Sequence, residues 1–165
     1  MTISLREATT DDAQAIFEVQ QASVEKLGSE AYDRECVDAW KAANSDPGCY
    51  PIDAKNRWYI VAELDGTIVG FGSLGFPDGL SDSSTEAEIT SVYVHPAVAR
   101  QGIGSQILTT LETAAQARGI ESLSLRASLN AVPFYEDHGY ESVSERSHEF
   151  ADGVEGSVVG MRTVL

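Results

Sequence analysis

A chain of 165 residues with a 42% hydrophobic share is the size of a single domain, residues 1–165, and is apolar enough to bury a core, which excludes intrinsic disorder. Its formal net charge of −15 argues against a phosphate backbone as partner, because nucleic-acid binders need a basic face, and no nucleic acid is expected. No apolar run approaches the roughly 20 residues of a membrane-spanning helix, and the first seven residues lack the basic-then-apolar layout of a secretory signal, so no membrane partner and a cytoplasmic location are expected.

Ile3-Ser4-Leu5-Arg6 alternates as a first strand. Apolar Ala15, Ile16, Val19 and Ala22 then recur near helical spacing, with Thr10 or Asp11 as the cap. A second helical stretch runs from Ser29 to about Ala43, carrying Tyr32, Val37 and Trp40, before the breaker Asp46-Pro47-Gly48. Cys36 and Cys49 stand in no metal-ligand or C-x-x-C arrangement, so a buried thiol and a loop thiol are expected, with no metal.

Two strands, Trp58–Glu63 and Ile68–Leu74, flank Asp65-Gly66, a pair suited to a tight hairpin turn. A polar loop from Pro77 to Thr85 leads to a strand from Glu88 to Val94. Ile107, Leu108, Leu111, Ala114 and Ala115 mark one face of a helix that Gly119 ends. Leu123–Arg126 is a strand; Asn130 caps a short helix with Pro133 in its tolerant first turn, and Gly139 stops it. Strands over about Tyr140–Phe150 and Gly156–Val164 close the chain around Asp152-Gly153. Strands and helices interleave around one mixed sheet, an α+β fold.

The chemically informative stretch is Val94-His95-Pro96-Ala97-Val98-Ala99-Arg100-Gln101-Gly102-Ile103-Gly104-Ser105. A strand end, a proline break, a two-glycine turn and a helix start aim several backbone N–H groups at one place, where the helix dipole also favours negative charge. Glycine at 102 and 104 lets a bulky anion approach without meeting a Cβ. A pyrophosphate fits such donors, with Arg100 the local cation. Taken alone, the two glycines are a weak signal, better explained by an ordinary tight turn that needs small residues. The dinucleotide-binding spacing fails because position 107 is Ile.

These residues, with the Asp65-Gly66 hairpin, the Glu88–Val94 strand, and Ala127-Ser128-Leu129-Asn130-Ala131-Val132-Pro133-Phe134-Tyr135 followed by His138-Gly139-Tyr140, resemble the GNAT superfamily of N-acetyltransferases over nearly the whole chain. Two motifs in the right order are more specific than either one. One departure is Ala99, where the family usually has Gln or Arg; Arg100 and Gln101 are the nearest polar residues.

The resemblance implies an acyl-CoA acyltransferase fold and acetyl transfer from acetyl-CoA, as co-substrate and without a metal, to the primary amine of a small molecule or peptide. A homodimer is a family-level expectation. A non-catalytic acetyl-CoA-binding sensor is the alternative. The resemblance further implies that the strand ending at Val94 splays from the Leu123 strand, and that backbone groups of Val92, Tyr93 and Val94 pair with the pantetheine arm. Arg100, Gln101, Gly102, Ile103, Gly104 and Ser105 would hold the diphosphate. Asn130 would contact the pantetheine besides capping its helix.

Glu88 is the candidate base, expected on one strand face with Thr90, Val92 and Val94; the plain alternative is a solvated glutamate beside Glu86. Tyr135 is the candidate general acid, and packing beside Phe134 is its plain alternative. His95 and His138 are expected to be exposed. His148, Tyr32, Trp40 and Trp58 are candidates for the acceptor pocket, with core packing the competing role. The global negative charge is expected to draw cationic acceptors. Only Lys26, Lys41 and Lys55 among the 11 basic residues are lysines, and an acidic, lysine-poor surface fits a halophilic origin.

Overall fold

The computed structural model describes residues 2–76 and 85–165; the loop expected from Pro77 onward lies, apart from Thr85, outside them. Seven strands form one mixed sheet: β1 (Ile3–Glu7), β2 (Arg57–Leu64), β3 (Thr67–Gly75), β4 (Glu86–Val94), β5 (Ser122–Ser128), β6 (Glu141–Ala151) and β7 (Val154–Val164). Their order is β1-β2-β3-β4-β5-β7-β6, antiparallel except for β4 against β5. Helices α1 (Ala13–Leu27) and α2 (Arg34–Ala43) cover one face; α3 (Ile103–Ala117) and α4 (Val132–Asp137) cover the other. Among the described residues no helix is long and apolar enough to cross a membrane.

Both short hairpins follow from their turn pairs. Asp65 and Gly66 have φ of 52° and 84°, Asp152 and Gly153 of 50° and 80°, the doubly left-handed turn whose twist matches paired strands.

The larger core lies between the sheet and α3 with α4. Ile107, Leu108 and Leu111 are fully buried there, each contributing roughly 1.5–3 kcal/mol by burial. Helix α3 sits directly on β3: a Cβ at Gly72 would lie 2.5 Å from Ile107 Cγ2, so a side chain there would push the helix off the sheet. The smaller core, with Ile16, Val19, Tyr59, Val61 and Phe71, lies under α1.

Several local expectations are corrected. Neither Thr10 nor Asp11 caps α1; the chain enters it through a 3-10 turn, Thr10–Asp12, where Thr9 N–H donates to Asp12 Oδ2 at 2.8 Å and Asp12 pairs with Arg6. The second helix begins at Arg34 rather than Ser29, because Asp33 caps it by accepting from Cys36 N–H; Tyr32 precedes it. Cys36 is half-buried rather than buried. Asn130 caps nothing: the chain approaches α4 through another 3-10 turn, Leu129–Ala131, and Ala131 takes the N-cap position.

The decisive feature lies in β4. Ser73 pairs with Ser91 but Leu74 pairs with Ile89, which leaves Thr90 as an extra residue, a β-bulge. Ala87 and Ile89 join the α3-side core, and so do Val92 and Val94, while Tyr93 packs on the α1 side. The bulge therefore reverses the alternation. Glu88 shares a face with Ser91 and Tyr93, not with Val92 and Val94 as simple period-two counting expects.

Candidate functional site

Strands β4 and β5 pair only from Glu86–Ser122 to Ile89–Leu125. Beyond the bulge they part. Strand β4 stays with β3 as far as Val94–Gly70, and β5 stays with β7 as far as Ser128–Val158. The backbone groups of β4 beyond Ile89 that face β5 thus have no strand partner among the described residues.

Two cavities meet at this parting, one of about 350 Å³ and one of about 510 Å³. Both are lined by Trp40, Val92, Tyr93, Ser128, Ala131 and Tyr135. The smaller lies on the α1–α2 face; the larger runs between α1, the start of α3, and α4.

The larger cavity ends at an elbow. Gly102 adopts φ of 83° and begins α3, and Arg100, without glycine's freedom, adopts φ of 62°. A left-handed arginine costs on the order of 1–2 kcal/mol, strain of the kind that collects at ligand sites. The first α3 bond runs from Gln106 N–H to the Gly102 carbonyl at 3.1 Å. Among the described residues, the N–H groups of Ile103, Gly104 and Ser105 therefore have no acceptor. Arg100, Gly102, Gly104 and Ser105 line the cavity. Gln101 is exposed and Ile103 is buried in the core, so neither side chain lines it. Gly104 also serves packing, since a Cβ there would meet Phe134 at 3.3 Å.

Asn130 lines the same cavity, and its Oδ1 is buried with no hydrogen-bond partner. An orphaned buried acceptor costs about 1–3 kcal/mol. It marks a place where a donor is awaited. His138, expected to be exposed, is half-buried: its Nδ1–H donates to the Phe134 carbonyl at 2.7 Å, and Nε2 shares a hydrogen bond with the Ser105 hydroxyl at 3.0 Å. It ties α4 to the elbow. His95 is also half-buried, its Nδ1 accepting from Ala97 N–H at 3.1 Å.

Glu88 and Tyr135 approach the smaller cavity from opposite faces of the sheet. The Tyr135 side chain is buried, yet its hydroxyl has no hydrogen-bond partner among the described residues. Burial first, and neighbouring Tyr93 second, push its phenol well above the ordinary value. The Glu88 carboxylate is 41% exposed and sits 3.9 Å from Arg126 Nε.

Trp40, Tyr93 and Phe150 form the apolar wall of the smaller cavity; Trp40 stacks on Phe150 with centroids 5.4 Å apart. His148 joins that wall, while Tyr32 is spent structurally, donating to the Ser157 carbonyl at 2.6 Å and accepting from Leu129 N–H at 3.0 Å. Trp58 packs on the opposite face, under Arg118 at 5.1 Å. Arg57 and Arg126 also line the smaller cavity. Sequence reading missed both, because their approach depends on strand register; the Gly75 gap opposite Arg57 is the one local signal.

Residues 13–140 match the model of the Acetyltransferase (GNAT) family. An aminoalkylphosphonate N-acetyltransferase from Salmonella typhimurium is 30% identical over 140 residues, covering 83% of this chain and 84% of the relative. A GCN5-related N-acetyltransferase structure from Rhodopseudomonas palustris superposes with a TM-score of 0.88 at 29% identity, covering 100% of this chain and 97% of that one. The PaiA N-acetyltransferase of Thermoplasma acidophilum, solved with coenzyme A, shares the fold with a TM-score of 0.80 at 20% identity, each chain being fully covered.

Proposed function

This chain belongs to the GNAT acetyltransferase family, an acyltransferase enzyme by that membership, and on this premise we propose that it moves an acetyl group from acetyl-CoA to the primary amine of a small molecule, with Glu88 as base and Tyr135 as acid. The observation that carries the reading is the parting of β4 from β5, which opens the sheet where two cavities meet at Tyr135, with Glu88 on the wall of the smaller.

The residues of the larger cavity fit the co-substrate. Three N–H groups at the elbow, unpaired among the described residues and beside Arg100, suit a diphosphate, and the Asn130 Oδ1, likewise unpartnered there, suits an amide donor of the pantetheine arm. The β4 backbone groups between Val92 and Val94 that face away from β3, without a strand partner among the described residues, offer that arm a strand edge and offer the carbonyl oxygen an N–H donor. Ala99 contributes no polar side chain, so backbone donors dominate here.

When bound, acetyl-CoA supplies a thioester carbonyl with which the amine forms a C–N bond as the C–S bond breaks. Glu88 takes the proton the nitrogen loses; its half-exposed carboxylate suits transfer through water. Tyr135 gives its phenolic proton to the departing sulfur and regains one from solvent. Burial, then Tyr93, hold its phenol above the ordinary range, which favours the protonated form that an acid must have.

The Salmonella relative's name specifies a small amine-bearing acceptor, which supports the same class here. A screen of amines, following free thiol from acetyl-CoA at low and high salt, tests the proposal. Amine-dependent thiol release is expected. Bound coenzyme A with no thiol release from any amine would favour the sensor alternative.

A further inference from the structure

The smaller cavity is charged against the trend of the molecule. The chain has 26 acidic residues against 11 Lys and Arg, yet this cavity is lined by two arginines, Arg57 and Arg126, against a single carboxylate, Glu88. The expectation that a negative protein draws cationic acceptors does not describe its own pocket.

Register sets Arg57 in place. Arg57, Gly75, Glu88 and Ser124 stand in one row across β2, β3, β4 and β5. A Cβ at Gly75 would lie 3.1 Å from Arg57 Nη1 and 3.0 Å from Thr90 Cγ2. The guanidinium therefore lies across β3 in space that a side chain at 75 would fill, toward the bulge. Its Nη1 donates to the Asn56 carbonyl at 3.2 Å, and among the described residues it has no ion-pair partner. Arg6, Arg34, Arg126 and Arg162 each do have one.

Arg126 flanks Glu88 from the β5 side. Its 3.9 Å pair, with both side chains substantially exposed, is weak and easily exchanged for a better anion. Two planar forks thus bracket one carboxylate at the edge of an aromatic-walled cavity. An arginine fork matches an oxyanion bidentately, whereas an ammonium facing two arginines is repelled.

We propose that the acceptor is a small amine bearing an oxyanion group, phosphonate, phosphate or carboxylate, which Arg57 and Arg126 grip while the amino group faces Glu88 and the opening to the larger cavity. The assignment rests on the transferase reading, under which the larger cavity takes the co-substrate and the smaller, where Glu88 lies, is left for the amine. Trp40, Tyr93 and Phe150 enclose the carbon skeleton. Burial, then Arg126, hold His148 below its ordinary value, so near neutral pH it joins as a hydrogen-bonding group rather than a third cation.

The test is a matched series of primary amines of equal chain length ending in phosphonate, carboxylate, hydroxyl or a second ammonium, assayed by thiol release from acetyl-CoA. The acids should exceed the hydroxyl analogue in kcat/KM by about tenfold or more, with the diamine poorest. The phosphonate-to-carboxylate ratio then tells which oxyanion the forks prefer. Arg57→Gln should raise KM for the acids about tenfold more than for the hydroxyl analogue, and Arg57→Lys should recover part of that difference. Arg126→Gln provides the same readout should Arg57→Gln fold poorly. A diamine matching the acids, or an equal loss for acid and hydroxyl analogues in both glutamine variants, would overturn the acceptor assignment alone. Failure to bind coenzyme A, or no thiol release with any amine, would sink the transferase reading and this assignment together.

Discussion

The two cavities recognise their ligands by different means. The larger presents main-chain donors, from the Arg100–Ser105 elbow and the free edge of β4, with one orphaned amide oxygen from Asn130. The smaller presents side chains: a carboxylate, two guanidiniums, an imidazole and an aromatic wall. Backbone recognition survives wide sequence change, since a helix start binds anions whatever its surface charge. Side-chain recognition sets specificity and can oppose the sign of the whole protein, as Arg57 and Arg126 do in a chain of net charge −15.

The sharpest way to break the comparison is Tyr135→Phe, at the junction of the two sites. Loss of the acid should lower kcat by about 10²–10⁴, the usual range for such a group. Coenzyme A affinity by calorimetry should hold within about threefold, because the phenol has no other partner among the described residues. A parallel loss of binding would make Tyr135 structural.

Next in size is Gly102→Val. A Cβ there meets nothing within 4 Å, so the penalty comes from backbone alone. At φ of 83° it is roughly 1–2 kcal/mol, about 5- to 30-fold, and should appear as weaker coenzyme A binding. The amine's KM should move little by comparison.

Asn130→Ala separates ligand binding from stability. Removing a buried, unpartnered acceptor should leave Tm unchanged or higher, while coenzyme A affinity falls about 3- to 10-fold. A clear drop in Tm would show that Oδ1 already has a partner in the free protein.

The smallest effect sharpens the acceptor side. Arg126 is one of the groups holding His148 below its ordinary value, so Arg126→Gln should move the His148 titration upward, measured by proton NMR. An unmoved titration would separate the two side chains.

The elbow was legible because glycine carries its meaning locally: a strand end, Pro96, Gly102 and a helical stripe need no tertiary knowledge. The helices and both hairpins were legible for the same reason, through periodicity and turn pairs. Glu88's face was not. Nothing local marks Thr90 as an extra residue; the bulge exists because β3 pairs with β4 in two registers, and it reverses every assignment beyond it. Asn130 misled in the opposite direction, since a good capping residue ahead of Pro133 sits within a 3-10 turn at the cavity wall, with its amide oxygen buried and unpartnered among the described residues. The row Arg57–Gly75–Glu88 spans three strands separated by a hairpin and a long connection, and only sheet register brings it together.

The division of labour between the cavities is tested most directly by calorimetric titration of coenzyme A into the wild type, Arg57→Gln and Gly102→Val. The wild type and Arg57→Gln should bind with dissociation constants within about threefold of each other, and Gly102→Val about tenfold more weakly. No heat of association with the wild type at any ionic strength where the fold persists, or equal damage from both substitutions, would contradict it.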